Sequence, residues 1–181
     1  MAGSGTRRHD PDRRDRIVEV TLDLIVERGL AGATYRTISA AADVPLGSMT
    51  YHFATRDDLL LAAFRRFADE SFTPLSAEAA QIADPVEAMT AVVLAGDGQR
   101  FRILLAELMV LAFRDERYAE LVRDWMRRAQ GFFAGRIEGV EPHVLDAVQE
   151  GLGLHRWFMP EVFTEDVVRG TFRALLRQDP A

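Results

Sequence analysis

Residues 32–59 read GATYRTISAAADVPLGSMTYHFATRDDL. Thr34 stands where a helix N-cap is wanted, because its hydroxyl can accept a free backbone N–H. The helix it opens, Tyr35 to about Ala42, is short and rich in alanine. Asp43 ends it, and Pro45 restarts a helix at a first-turn position where the missing N–H costs nothing. That second helix runs to about Tyr51, and Thr55 caps a long one from Arg56. Two short helices joined by about three residues, with small residues at their contact, form a helix-turn-helix pattern. Ile38, Ala42, Val44, Met49 and Phe53 supply the apolar wedge between these helices and the one before them.

Such a unit presents the N-terminal end of its second helix to the DNA major groove. Here that end carries Pro45, Leu46, Gly47 and Ser48. Leu46 suits a thymine methyl and Ser48 can donate or accept. Gly47 lets a backbone approach a base edge, and inside a helix it costs roughly 1 kcal/mol against alanine, which asks for a reason. Thr34, Thr50, His52 and Arg56 are placed to hold phosphates. Tyr51 and Phe53 read as aromatics that close the small core.

The stretch resembles the DNA-binding domain of the TetR family of bacterial repressors. The matching pattern is Thr34, Arg36, Ile38, Ala42, Val44, Gly47, Met49 to Phe53, Arg56 and Leu59, within roughly residues 14 to 65. The resemblance implies a homodimer on a double-stranded, near-palindromic operator, and a variable helical domain that binds a small-molecule inducer. It also implies that ligand binding moves the fourth helix, separates the two reading heads and releases the operator. By resemblance Thr34 and Arg36 approach DNA, Leu46, Gly47 and Ser48 face bases, and Thr50, His52 and Arg56 take phosphate positions. Thr50 stands where tyrosine is common, Asp43 where glycine is usual, and Pro45 where serine is frequent.

Working outward, Asp12 to Arg28 forms an amphipathic helix stopped by Gly29. Beyond Arg56, Pro74 should bend or break the fourth helix. Helical segments follow at Pro85–Leu94, Gln99–Arg114, Glu116–Ile137, Pro142–Met159 and Thr164–Gln178. Sustained alternation of period two is absent, so strands are not expected. The expected fold is all-α, about nine helices, with an N-terminal three-helix helix-turn-helix domain and a larger C-terminal ligand-binding and dimerisation domain. Its expected parts are a disordered tail at 1–11, the DNA-binding domain at 12–56 and the larger domain at 57–181.

The chain has 181 residues, no cysteine and a net charge of −6, and all 22 of its basic residues are arginine. Disulfides and thiolate metal sites are excluded. No apolar run approaches the ~20 residues of a membrane span, and the start lacks a signal peptide's apolar stretch, so a cytoplasmic protein is expected. The acidity is uneven: residues 1–56 hold 8 arginines against 7 acids, and residues 57–181 hold 14 against 21. A near-neutral reading head relies on a few placed contacts.

In the larger domain a largely apolar inducer calls for an apolar wall with a few aimed polar groups. Glu107, inside FRILLAELMVLAF, is the leading polar candidate, with Phe113, Trp125 and His155 beside it. Val148, Gly151, Leu152, Val168, Phe172 and Leu175 are assigned by the resemblance to a four-helix dimer interface. His143, Asp146 and Glu150 share a helix face and read as a surface charge cluster. No histidine pair has metal-ligand spacing, and no phosphate loop or nucleophile elbow occurs, so no metal, cofactor or enzymatic activity is expected. The alternative is a helical interaction protein that kept the fold but lost operator binding.

Overall fold

A computed structural model describes residues 12–96, 98–134, 137 and 139–176, with the side chains of 73–76 left out. Among the described residues there are nine α-helices and no strand. They are α1 (Arg13–Gly32), α2 (Tyr35–Ala41), α3 (Leu46–His52), α4 (Arg56–Ala79), α5 (Pro85–Ala95), α6 (Gln99–Ala112), α7 (Glu116–Phe133), α8 (Pro142–Phe158) and α9 (Glu165–Leu175). The tail expected at 1–11 lies outside the described residues. No helix here is long and apolar enough to cross a membrane. Two compact units divide the chain, a head ending at Phe64 and a body beginning at Arg65, with α4 contributing to both.

In the head, α1 buries Ile17, Val18, Thr21, Leu22, Leu24 and Ile25, a single stripe at helical spacing. Thr21 enters that stripe because its hydroxyl donates to the Ile17 carbonyl at 2.7 Å, leaving no orphan polar atom. Gly29 breaks the helix with φ 68°, a conformation that side chains resist. Thr34 caps α2 reciprocally with Thr37: each threonine's hydroxyl accepts the other's backbone N–H. Thr55 and Asp58 make the same exchange at the start of α4. Pro45 precedes α3 as its N-cap rather than sitting in its first turn. Of the expected bend or break, the break does not occur: α4 runs as one helix through Pro74. One absent N–H does not end a helix whose neighbouring turns keep their own bonds.

The body packs α5 on α8 and α9, α6 on α7, and α7 on α8. Its core joins Met89 and Val93 of α5, Ala129 and Phe133 of α7, Leu145 and Leu152 of α8, and Val168 and Phe172 of α9. Arg169 of α9 reaches across to Glu87 of α5 at 2.8 Å and to Asp166 at 3.1 Å, so one fork ties two helices. Asp84, Asp115 and Thr164 cap α5, α7 and α9 through their side-chain oxygens.

Phe172 has no exposed surface. Phe172→Ala should destabilise the chain by about 3–5 kcal/mol, read from the shift of the urea unfolding midpoint at constant slope.

Candidate functional site

The turn between α2 and α3 is closed by a reciprocal clasp. The Val44 N–H donates to the Ser39 carbonyl at 3.0 Å, and the Ser39 hydroxyl donates to the Val44 carbonyl at 2.7 Å. Ser39 is buried, and this bond is what makes its hydroxyl tolerable there. Asp43 makes the turn with φ 52°, the left-handed region open to a short polar side chain. The Tyr35 hydroxyl donates to the Phe53 carbonyl at 2.9 Å, tying the start of α2 to the end of α3. Desolvation, then the charge of Asp58, raises the Tyr35 pKa, so its phenol stays a donor. Met49 and Phe53, one turn apart, bury the inner face of α3.

The outer face of α3 is open. Leu46, Gly47 and Thr50 are exposed and Ser48 is half-buried. A Cβ placed on Gly47 would meet nothing within 4 Å, so packing inside this chain does not require a glycine there. Thr34 and Arg36 are exposed on the α2 side. The Thr50 hydroxyl donates to the Gly47 carbonyl at 3.1 Å. Tyr51 corrects the sequence reading: it is 85% exposed, not core. Two residues after Met49 it has turned about 200°, which places it opposite the buried face and one turn after Gly47. His52 is half-buried and meets the Tyr51 ring edge-on at 5.2 Å.

Arg56, expected at a phosphate, is occupied differently. Its Nε donates to the Ala33 carbonyl at 2.7 Å and an Nη to the Leu30 carbonyl, so it caps the end of α1. Arg16 does the same for α2, donating from Nε to the Ala42 carbonyl at 3.1 Å. A cation near helix-end carbonyls satisfies acceptors that the helix leaves open. Sequence spacing gave no sign of this use, since the partners lie more than twenty residues away.

The body holds a cavity of about 640 Å³. Trp125 lines it; Glu107, Phe113 and His155 are not among its lining residues. On α6 the lining comes from Phe101, Leu105, Ala106, Leu108 and Met109, and Glu107 is turned about 200° from Leu105. Phe113 follows the last residue of α6 and is 89% exposed. His155 is exposed and stacks on Phe163, ring centres 4.9 Å apart. The polar side chains of the wall are Ser71, Asp146, Gln149 and Glu150. Asp146 therefore drops out of the surface cluster expected with His143 and Glu150: it is only 5% exposed, while those two are exposed. Gln130 donates to its carboxyl at 3.1 Å. Desolvation raises the Asp146 pKa, against the opposing pull of that bond. Glu150 is raised by surrounding protein and then by the charge of Asp146. Both carboxyls hold protons to higher pH than in the unfolded chain, so they subtract stability as pH rises through that interval.

Three of the six residues assigned to a dimer interface are withdrawn from any partner. Val168 and Phe172 have no exposed surface and Leu152 is 7% exposed, because all three belong to the chain's own core. Val148 and Leu175 pack against that core. Gly151 differs, since a Cβ there would meet nothing within 4 Å. It shares an exposed face of α8 with Ala147, Leu154 and Phe158, and α9 exposes Val167, Gly170 and Ala174. The apolar spacing in the sequence reported the inward faces, which carry the stronger signal.

A short helix pair with an open second helix, in an all-α chain whose body encloses a ligand-sized cavity, defines a helix-turn-helix regulator. Residues 17–63 match the family model described as bacterial regulatory proteins, tetR family. The chain is 36% identical, with a TM-score of 0.85, to SCO7518 of Streptomyces coelicolor A3(2), described as a candidate transcriptional regulator; the match covers 93% of this chain and 100% of that one. It is 30% identical to the multidrug binding protein EbrR in complex with imidazole, TM-score 0.77, covering 95% and 98%, and EbrR is also known in complex with ethidium. The HTH-type transcriptional regulator PksA of Bacillus subtilis is 42% identical over 53 residues, 29% of this chain and 26% of its own length. The chain thus matches well under half the length of that curated relative. It belongs to the TetR family of bacterial transcriptional regulators.

Ser39→Ala removes the donor that satisfies the Val44 carbonyl. It should cost about 1–3 kcal/mol, seen as a lower thermal midpoint, while hydrogen exchange quickens first across residues 39–53.

Proposed function

We propose that the protein is a ligand-responsive, dimeric transcriptional repressor. It acts in the cytoplasm on a near-palindromic operator and leaves it when a small molecule fills the cavity of the body. The observation that carries this reading is Gly47. It costs helix stability, no neighbour in the chain needs it, and it sits on an exposed face with Leu46, Thr50 and Tyr51. A surface built to let DNA come close accounts for all three facts. In this reading Leu46, Gly47 and Ser48 meet bases, while Thr34, Arg36, Thr50 and His52 hold the backbone. Arg56 acts by fixing α1, and Tyr51 joins the contact face.

The likeness to EbrR supports a small molecule as the effector. α4 is the chain segment common to both activities: Arg56 at its start bonds within the head, and Ser71 and Phe72 line the cavity. A ligand that binds the DNA-incompetent arrangement more tightly shifts the population away from the operator. Dimerisation uses the outward face of α8 around Gly151 and Leu154, with α9 beside it, because two-fold symmetry matches a palindromic site.

Two features favour a second reading, a helical interaction protein without an operator. The Arg56 guanidinium is engaged by carbonyls, and the Thr50 hydroxyl bonds inside its own helix. An electrophoretic shift on the DNA flanking the gene decides between them. The repressor should give a sequence-preferring complex at nanomolar to micromolar protein, weakened steeply by salt. Gly47→Leu should abolish it with the thermal midpoint nearly unchanged, since the added side chain meets open space. Absence of any sequence-preferring complex sinks the repressor reading.

Leu154 is 51% exposed on the face assigned to the dimer. Leu154→Arg should turn the dimer into a folded monomer in sedimentation velocity. A variant that sediments as wild type removes α8 from the interface.

A further inference from the structure

The cavity of the body combines two features. Its wall is mostly apolar and aromatic, with Phe101, Trp125 and Trp157 among its rings. Phe101 lies 6.1 Å from Trp125 and 6.3 Å from Trp157, centre to centre, and Phe67 joins the cluster at 5.7 Å from Phe101. Trp157 is anchored by its indole N–H, which donates to the Gly96 carbonyl at 3.1 Å. In the same wall stand two carboxyls one helical turn apart, Asp146 and Glu150. No arginine or histidine is among the described lining residues.

A carboxyl removed from water must be paired, hydrogen-bonded or protonated. Asp146 has one amide donor, Gln130, and no cation among the described residues acts on it. The charge acting on Glu150 is that of Asp146, which is repulsive. Arginines are abundant in this body, yet they are engaged elsewhere: Arg128 with Asp69 and the Phe72 ring, Arg169 with Glu87. The other elements around the pair bring no further charge to the wall: α7 adds Gln130 as a donor, α4 adds Ser71, and the lining of α5 and α6 is apolar. An anion entering here meets repulsion. A neutral apolar molecule leaves buried Asp146 without a counter-charge and covers exposed Glu150 without recompense. A cation gains the carboxylates and the negative faces of the rings at once.

We propose that the cavity is a receptor for flat aromatic cations, with Asp146 and Glu150 as the counter-charge and the rings of Phe101, Trp125 and Trp157 as stacking faces. This rests on the ligand-responsive reading above and names the chemical class of its effector. The volume of about 640 Å³ suits a molecule of drug size. The two carboxyls cost stability in the unliganded protein, and the cation returns it.

The test uses the full chain without DNA, so that its outcome is separate from operator binding. Ethidium, a permanent aromatic cation, is titrated by fluorescence against anilinonaphthalene sulfonate, an aromatic anion. Ethidium should bind at least tenfold more tightly than the anion. Its affinity should drop as pH is lowered through the raised titration range of the two carboxyls, where they become neutral. Asp146→Asn and Glu150→Gln should each lose at least tenfold in ethidium affinity, with N-phenylnaphthylamine, a neutral probe, changed less than twofold. Asp146→Asn should melt at or above the wild-type temperature, since a burden is removed; a structural aspartate would show the reverse. Glu150 is exposed, so its variant keeps the test decisive even where Asp146→Asn folds poorly. Equal or tighter binding of the anion, or ethidium affinity unmoved in Glu150→Gln, overturns the proposal. If the cation fails while the operator shift succeeds, only the ligand class falls. If the shift fails while the cation binds, only the repressor reading does.

Discussion

Two helices of seven residues each form the helix-turn-helix, and neither is long enough to hold itself together in water. Everything in the head follows from that constraint. α3 exists because Met49 and Phe53 are pressed into the core, and because its first turn is presented by the clasp between Ser39 and Val44. The Tyr35 hydroxyl closes the other end on the Phe53 carbonyl. Arg16 and Arg56 meet the carbonyls left open where α2 and α1 stop. With its inner face committed to burial, α3 keeps only its outer face for a partner, and there Gly47 and Tyr51 fall one turn apart.

The body obeys a different constraint, the cost of placing carboxyls in an apolar wall. Helix caps at Asp84 and Asp115 show how a carboxylate is usually employed here, on backbone N–H groups at the surface. Asp146 has no such use. Its side chain lies in the wall of a cavity with a single amide donor, and its ionisation is suppressed by desolvation. Stability alone would favour an asparagine or an aliphatic residue at this position. Sites that bind charged ligands commonly carry such a burden until the ligand arrives.

Much of the architecture was legible because it is written at short range. N-caps at Thr34 and Thr55, the stop at Gly29 and the end of α2 before Asp43 each depend on a few neighbouring residues, and each occurs as read. Pro74 does not break α4 because a single absent donor is weaker than the rest of the helix around it. The candidate site was legible as a segment but not as a set of side chains. The bonds of Arg56 to the Leu30 and Ala33 carbonyls were not legible because those partners are distant in sequence. Tyr51 was taken for core because aromatics usually are, although its offset from Met49 points outward.

The sequence by itself therefore determined the helices, their caps, the helix-turn-helix and the family resemblance, all of which rest on local spacing and backbone chemistry. Tertiary structure alone decided which side of each helix faces protein, solvent or cavity. Periodicity reports that a stripe is apolar without saying what covers it. Thus Val168 and Phe172 proved to be the chain's own core, Glu107 turned away from the cavity, and Asp146 turned into it. Those assignments depend on neighbours brought together from α4 to α9, and no local pattern encodes such neighbours.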